Sequence, residues 1–262
     1  MAATDMRIID AHVHLLDEPD YLDKLLATMD DCAIEKCCLS GLGPLFAMAG
    51  NEDVQAAFGA HGDRIIGAAF IRPGVDGPER IDHAHDDGFR MVKVTIPRAG
   101  YDDPSYYPLW DRAVAHKMPV LFHTGIVAPF VQGRGEGISS WNMEAMRVEP
   151  ITREFPELNV IIAHLGVQSN TAAGEMARMR PNVYVDLTGD PVGWRLRADA
   201  EGIDKWLWWP GAFEKVVFGT DVHCSDMKQI LTEDLARMDR LGIDMETRRC
   251  VLSENILNLL GM

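Results

Sequence analysis

The chain has no run of lysines and arginines, no long apolar stretch and no regular cysteine pattern, and each absence removes a class of protein. Its 25 Lys and Arg stand against 40 Asp and Glu, a net charge of -15 at pH 7. That balance disfavours a nucleic-acid partner, because phosphate binding needs a basic footprint. No apolar run approaches the roughly 18 residues of a membrane span, and the opening "MAATDMRIID" lacks the basic-then-apolar pattern of a secretory leader. A cytoplasmic protein without a membrane partner is expected. The five cysteines, Cys32, Cys37, Cys38, Cys224 and Cys250, fit neither a disulfide framework nor a Cys-x-x-Cys zinc spacing, so buried free thiols are expected.

What is present is an alternation. Short β-branched runs ending in small or polar residues recur as "RIIDAHVH", "EKCCLSGLG", "RIIGAAFIRPG", "RMVKVTIP", "MPVLFHTG", "LNVIIAHLG", "NVYVDLTGD" and "EKVVFGTD". Between them lie stretches with apolar residues three and four apart, among them "DYLDKLLATMDDCAI", "PERIDHAHDDGF", "YYPLWDRAVAHK", "NMEAMRVEPITREFP" and "TEDLARMDRLG". Strands alternating with helices imply a parallel sheet, and eight such units in 262 residues match an α/β fold of the (β/α)8 TIM-barrel type. A doubly wound open sheet is the alternative. Glycine and proline fall at unit junctions and no linker interrupts the chain, so one domain over residues 1–262 is expected.

The first strand ends on two imidazoles. Strand side chains alternate, so Ile8, Asp10, His12 and His14 are expected on one face, and in a barrel the C-terminal end of that face opens into the active site. The ends of other strands supply Lys93, His123, His164 and Asp221. Nitrogen and oxygen donors in that number suit zinc, manganese, iron or a similar divalent ion. Each residue alone has a plainer use: His123 can cap a loop, Asp221 can cap the helix that follows, and Lys93 can extend its stem outward. Five coincidences at five strand ends are a weaker explanation than one shared site. The second His-x-His, His83 and His85 in "RIDHAHDDGF", falls in an expected helix, where residues two apart do not face each other, and reads as a solvated pair.

The set "DAHVH", "FHTG", "AHLG" and "FGTD", in this order and at these strand ends, resembles the amidohydrolase superfamily. The likeness is to the amidohydrolase-related branch that includes aminocarboxymuconate semialdehyde decarboxylase, and it covers nearly the whole chain. The resemblance implies that His12, His14, His123 and Asp221 hold one divalent metal, zinc by preference, with manganese or iron as alternatives. It implies an acid/base or oxyanion role for His164. Binuclear members place a carboxylated lysine where Lys93 stands, and on that pattern two ions would be held, with His123 and His164 serving the second. His223, two residues past Asp221, reads as a surface group or as a neighbour of the ligands.

The implied reaction is hydrolysis of an amide, lactone or ester bond in a small, anionic molecule, through a metal-activated water with Asp221 as proton acceptor. Metal-dependent, non-oxidative decarboxylation of a small carboxylated substrate is the alternative, and a non-enzymatic metal-binding barrel a remote one. A metal-dependent deoxyribonuclease barrel also opens on His-x-His, but would carry a glutamate where Lys93 stands. Arg134, in the long loop "PFVQGRGEGISSW", and Arg195 and Arg197, in "TGDPVGWRLRADAEG", are candidates to grip a substrate carboxylate. The three tryptophans of "KWLWWPGAF" read as a helical face packed on the barrel or on a second copy of the chain, and a homo-oligomer is left open.

Overall fold

In the computed structural model, which describes residues 6–131 and 133–262, each apolar run is a strand. The opening residues 1–5, half of the segment "MAATDMRIID" considered above, and Gln132 lie outside the described residues. The strands are β1 (Ile9–His14), β2 (Lys36–Ser40), β3 (Ile65–Ile71), β4 (Met91–Val94), β5 (Val120–Phe122), β6 (Val160–Ile162), β7 (Val183–Asp186) and β8 (Val216–Val217). They form one parallel sheet in sequence order. Hydrogen bonds from Ala11 N to Phe218 O at 2.9 Å and from Asp221 N to His12 O at 2.8 Å join the first strand to the end of the eighth. The open-sheet alternative is thereby excluded, and the chain is a single TIM-barrel domain.

Two apolar layers explain why the strands are hydrophobic on both faces. Ile9, Ala11, Cys38, Ile66, Ala68, Met91, Leu121, Ile161, Ala163 and Val217 fill the lumen, and Ile256, Leu257 and Leu259 of the last helix, Asn255–Leu260, join that cluster. Val13, Leu39, Ala69, Val92, Phe122, Ile162 and Val185 face outward into a larger core shared with the surrounding helices. Helix Tyr21–Asp31 shows the local logic, burying Tyr21, Leu25 and Met29 at a spacing of four. Four of the five cysteines are buried and none is paired, as expected.

Two expectations change. The stretch 142–156 is not one helix: turns at Ser140–Met143 and Ala145–Val148 precede a short helix, Glu149–Glu154. Glu144 is extended, with φ of -61° and ψ of 132°, and breaks the run between the two turns, while Pro150 sits in the first turn of the helix, where its missing N–H costs nothing. The aromatic segment 206–211 is likewise irregular, lying between turns Ile203–Lys205 and Ala212–Lys215. Trp206 and Trp209 pack on the outer core while Trp208 is 60% exposed, so the three do not share one helical face.

Candidate metal centre

The placement of the two histidines depends on an irregularity that the sequence conceals. Asp10 pairs with Cys37 and Val13 with Leu39, three residues of β1 against two of β2. Such a bulge inserts one extra residue and changes which face the following side chains take. Before it, Ile9 and Ala11 are luminal and Ile8 is in the outer core; after it, Val13 is outer and His12 and His14 turn inward. The expectation that Ile8, Asp10, His12 and His14 share a face therefore holds for the two histidines and fails for Ile8 and for Asp10, which lies between the luminal Ile9 and Ala11 and pairs with the outer Cys37.

Both imidazoles are oriented from behind. His12 Nδ1 lies 3.0 Å from Asp186 Oδ2, and His14 Nδ1 lies 2.9 Å from Ser40 Oγ and 3.3 Å from the Ser40 carbonyl. A carboxylate and a carbonyl only accept, so each Nδ1 carries the proton and each Nε2 offers a lone pair. Those Nε2 atoms converge on Asp221: its Oδ1 is 3.1 Å from His14 Nε2 and 3.6 Å from His12 Nε2. The donor atoms of His12, His14 and Asp221 all lie within 4.8 Å of one another. Two imidazole nitrogens and a carboxylate, with the imidazoles held by outer partners, form a donor set that fits a divalent ion.

His123 and His164 stand beside this cluster. His164 Nε2 is 3.5 Å from Asp221 Oδ2 and 3.2 Å from His123 Nδ1. His123 is not within the three-residue donor cluster, which among the described residues contains His12, His14 and Asp221 alone. Lys93 is 1% exposed and points inward, its Nζ 2.6 Å from His12 Nε2. Burial lowers the Lys93 pKa to about 8 despite the opposing pull of Asp221 and Asp186. Burial also lowers His12 to about 4 and takes His123 well below its ordinary range, so both imidazoles are neutral at pH 7. Burial opposes ionisation of Asp221, but the positive charge that His12, His14 and His164 carry when protonated outweighs it and takes the carboxyl well below the usual range.

Two of these residues sit on strained backbone. His164, Leu165 and Val167 have φ of 58°, 45° and 46°, and Asp221 has φ of 50°. Left-handed backbone costs an L-residue roughly 1–2 kcal/mol, and it persists where surrounding contacts fix it. Here the His164 N–H donates to Asp186 Oδ1 at 2.7 Å. Gly219 shows how tight the approach is, since a Cβ there would lie 2.9 Å from His12 Cβ and 2.8 Å from Thr188 Cγ2.

Sequence reading missed Asp186, although it ends the seventh strand in the way that His123 and His164 follow theirs. Asp10, placed by sequence on the face of the histidines without a role, accepts from Thr220 N at 3.0 Å and Thr220 Oγ1 at 2.7 Å and so ties β1 to the loop carrying Asp221. Burial, against those hydrogen bonds, raises the Asp10 pKa to about 7. Of the candidate arginines, Arg134 is exposed, and Arg197 is exposed with Nη2 on Val167 O at 2.7 Å and Asn170 Oδ1 at 2.8 Å. Arg195 is no substrate grip: it is 1% exposed and its guanidinium is bound to Asp234, Glu233 and the Leu187 carbonyl. His223 is a surface group, 3.5 Å from Glu18 and 39% exposed. His83 is exposed, whereas His85 stacks on His116 at 4.1 Å.

Replacing Asp186 by Asn is expected to weaken divalent-metal binding by about 10- to 100-fold, because an amide no longer fixes the His12 tautomer. Calorimetric titration of the metal-free protein with zinc checks this. Unchanged affinity would mean that Asp186 does not orient His12.

A parallel barrel with inward imidazoles and a carboxylate at the C-terminal ends of its strands defines a class of metal-dependent barrel enzymes. The sequence profile described as amidohydrolase matches residues 9–262, and the chain belongs to that family. Solved structures agree on the fold. An uncharacterised TIM-barrel protein from Bordetella bronchiseptica superposes with a TM-score of 0.75 at 19% identity, covering 98% of this chain and 100% of that one. The 5-carboxyvanillate decarboxylase of Sphingomonas paucimobilis gives 0.67 at 14%, with the same coverage. A probable 2-pyrone-4,6-dicarboxylic acid hydrolase from Acinetobacter baumannii gives 0.62 at 14%, again covering 98% and 100%. Among curated proteins, none matches the sequence. No helix among the described residues is long and apolar enough to cross a membrane.

Proposed function

We infer that the protein is a metal-dependent hydrolase of a small carboxylated molecule, cleaving an amide, lactone or ester bond. The observation that carries this reading is the position of Asp221, 3.1 Å from His14 Nε2 on one oxygen and 3.5 Å from His164 Nε2 on the other. An ionised carboxylate at that point can accept the proton of a water whose acidity the ion would raise. His12, His14 and Asp221 would hold the ion, with His123 as a further ligand; zinc suits the donor set, and manganese is the alternative. When bound, the ion supplies Lewis acidity that polarises a carbonyl oxygen and makes water more acidic.

The chain's own groups account for the rest. Asp221 accepts the proton of the attacking water and returns it to the leaving group. His164, whose Nδ1–H donates to Thr188 Oγ1 at 2.8 Å, would stabilise developing negative charge on the carbonyl oxygen when its Nε2 also carries a proton. Lys93, a cation in the inner wall, favours a substrate with a carboxylate. Five unpaired cysteines suit a reducing compartment, which supports a cytoplasmic enzyme.

The decarboxylase reading has support of its own. Lys93 serves a departing carboxylate equally well, and the Rhizobium 2,6-dihydroxybenzoate decarboxylase, with a TM-score of 0.66 at 16% identity, shares the fold. A 5-carboxyvanillate decarboxylase from Novosphingobium aromaticivorans was solved with manganese. Isotope labelling separates the two reactions. Carboxylated lactones and hydroxybenzoates are incubated with the protein in H2(18)O and, separately, in D2O. Incorporation of 18O into a ring-opened acid is the expected result; carbon dioxide release with deuterium on carbon would replace the hydrolase reading.

A further inference from the structure

The mouth of the barrel carries a second buried cation. Arg72 follows β3. Ile66 and Ala68 of that strand are luminal while Ile65, Ala69 and Ile71 are outer, so the alternation assigns Arg72 to the luminal side at the C-terminal end. Its side chain is 7% exposed. Nε donates to the Ile96 carbonyl at 3.0 Å, Nη1 to Glu136 Oε2 at 2.7 Å and Nη2 to the Glu136 carbonyl at 2.7 Å.

The partner is unusual in its origin. A guanidinium this buried needs an anion, because an unpaired buried charge is costly. Yet the anion comes from the loop between β5 and Ser140, not from the barrel wall. Gly135 and Gly137 flank Glu136 with φ of 85° and 69°, a conformation that glycine adopts without strain and from which it moves freely. The Glu136 side chain is 38% exposed, with Oε2 on the guanidinium. Arg98 Nη2, at 3.8 Å, adds a second positive neighbour.

We propose that Arg72 is a carboxylate-binding residue of the active-site mouth, and that Glu136 occupies its seat until the carboxylate of a small ligand displaces it. The exchange is balanced in charge: one carboxylate leaves the guanidinium as another arrives, and the buried cation is never left unpaired. A neutral analogue gains nothing by displacing Glu136, so the device selects for carboxylated ligands. Displacement frees the glycine-flanked loop, which moves with ligand entry. The proposal rests on the reading of a small carboxylated substrate and adds the residue that recognises it and the group that guards it.

The test follows amide hydrogen exchange across residues 133–139 of the full chain, with benzoate as probe and benzamide as its neutral counterpart. Benzoate is expected to accelerate exchange of this segment in the wild type, and benzamide to leave it unchanged. Glu136→Gln is expected to exchange about tenfold faster without any ligand, and to bind benzoate about tenfold more tightly by calorimetry, a change of about 1.4 kcal/mol. Arg72→Lys keeps the charge but loses the two-pronged geometry, and is expected to retain the fold and lose the benzoate response. Equal exchange in wild type and Glu136→Gln, no effect of benzoate on the wild type, or an undiminished response in Arg72→Lys would each overturn the proposal. Failure of the hydrolase reading has a separate signature, the absence of metal or of 18O incorporation, and leaves the loop response intact.

Discussion

Replacing Asp221 by Asn is expected to lower turnover by about a thousandfold or more while leaving the fold unchanged. The substitution keeps the shape of the side chain and removes two properties at once. An amide does not accept a proton at neutral pH, and loss of a positioned general base costs about 100- to 10,000-fold. It also removes the negative charge that completes the donor set with His12 and His14, whose Nε2 atoms lie 3.6 and 3.1 Å from Asp221 Oδ1. The loss is expected in kcat more than in KM, because the carboxylate acts on the reacting water rather than on the substrate's anchoring groups. Circular dichroism checks the fold, and steady-state kinetics on the substrate found by isotope labelling checks the rate. Activity within tenfold of the wild type would remove Asp221 from the chemistry.

The second large effect is on stability. Asp234 binds two buried guanidiniums, Arg195 at 2.8 Å and Arg237 through Nη1, and the three side chains are 6%, 1% and 3% exposed. Asp234→Ala removes the one buried carboxylate that the two cations share. Arg237 keeps Asp199, with contacts of 2.9 Å at Nε and Nη2, but Arg195 retains only Glu233 at 3.3 Å and the Leu187 carbonyl. Breaking a buried pair by removing one partner costs about 3–5 kcal/mol, and for a chain of this size that is a fall in Tm on the order of 10 °C. Thermal unfolding followed by circular dichroism measures it. Because Leu187 follows Asp186 directly, the same variant is expected to loosen the end of β7 and weaken metal binding. A stability loss below about 1 kcal/mol would show that this cluster is solvated enough to tolerate the change. Replacing the charged groups together with apolar residues of similar volume is expected to cost much less than the single change.

The legibility of this protein in its sequence divides along a physical line. The strands stand out because a barrel buries both faces of each one, so "NVIIAH" and "EKVVFG" read as unbroken apolar runs between turns. The rule that function sits at strand ends brought out His12, His14, Lys93, His123, His164 and Asp221. Asp186 obeys the same rule and escaped notice because an aspartate at a strand end has a commoner use as a helix cap. Other features leave no local trace. The bulge in β1 is one extra residue in a run that looks regular, and only the partner register reveals it. Arg72 and Arg195 look like Arg134 in sequence, yet two of the three are buried, because burial of a guanidinium depends on carboxylates supplied from 64 and 39 residues away. The break at Glu144 leaves no local trace either, because its extended backbone lies within an apolar spacing that reads as helical.

The central claim is that His12, His14 and Asp221 form a single-ion site. Elemental mass spectrometry on the purified wild type, after reconstitution with zinc or manganese, tests it most directly. The account expects about one equivalent of divalent metal, reduced in Asp221→Asn. No metal after reconstitution would contradict the site, and two equivalents would contradict the single ion and make Lys93 a bridging carbamate.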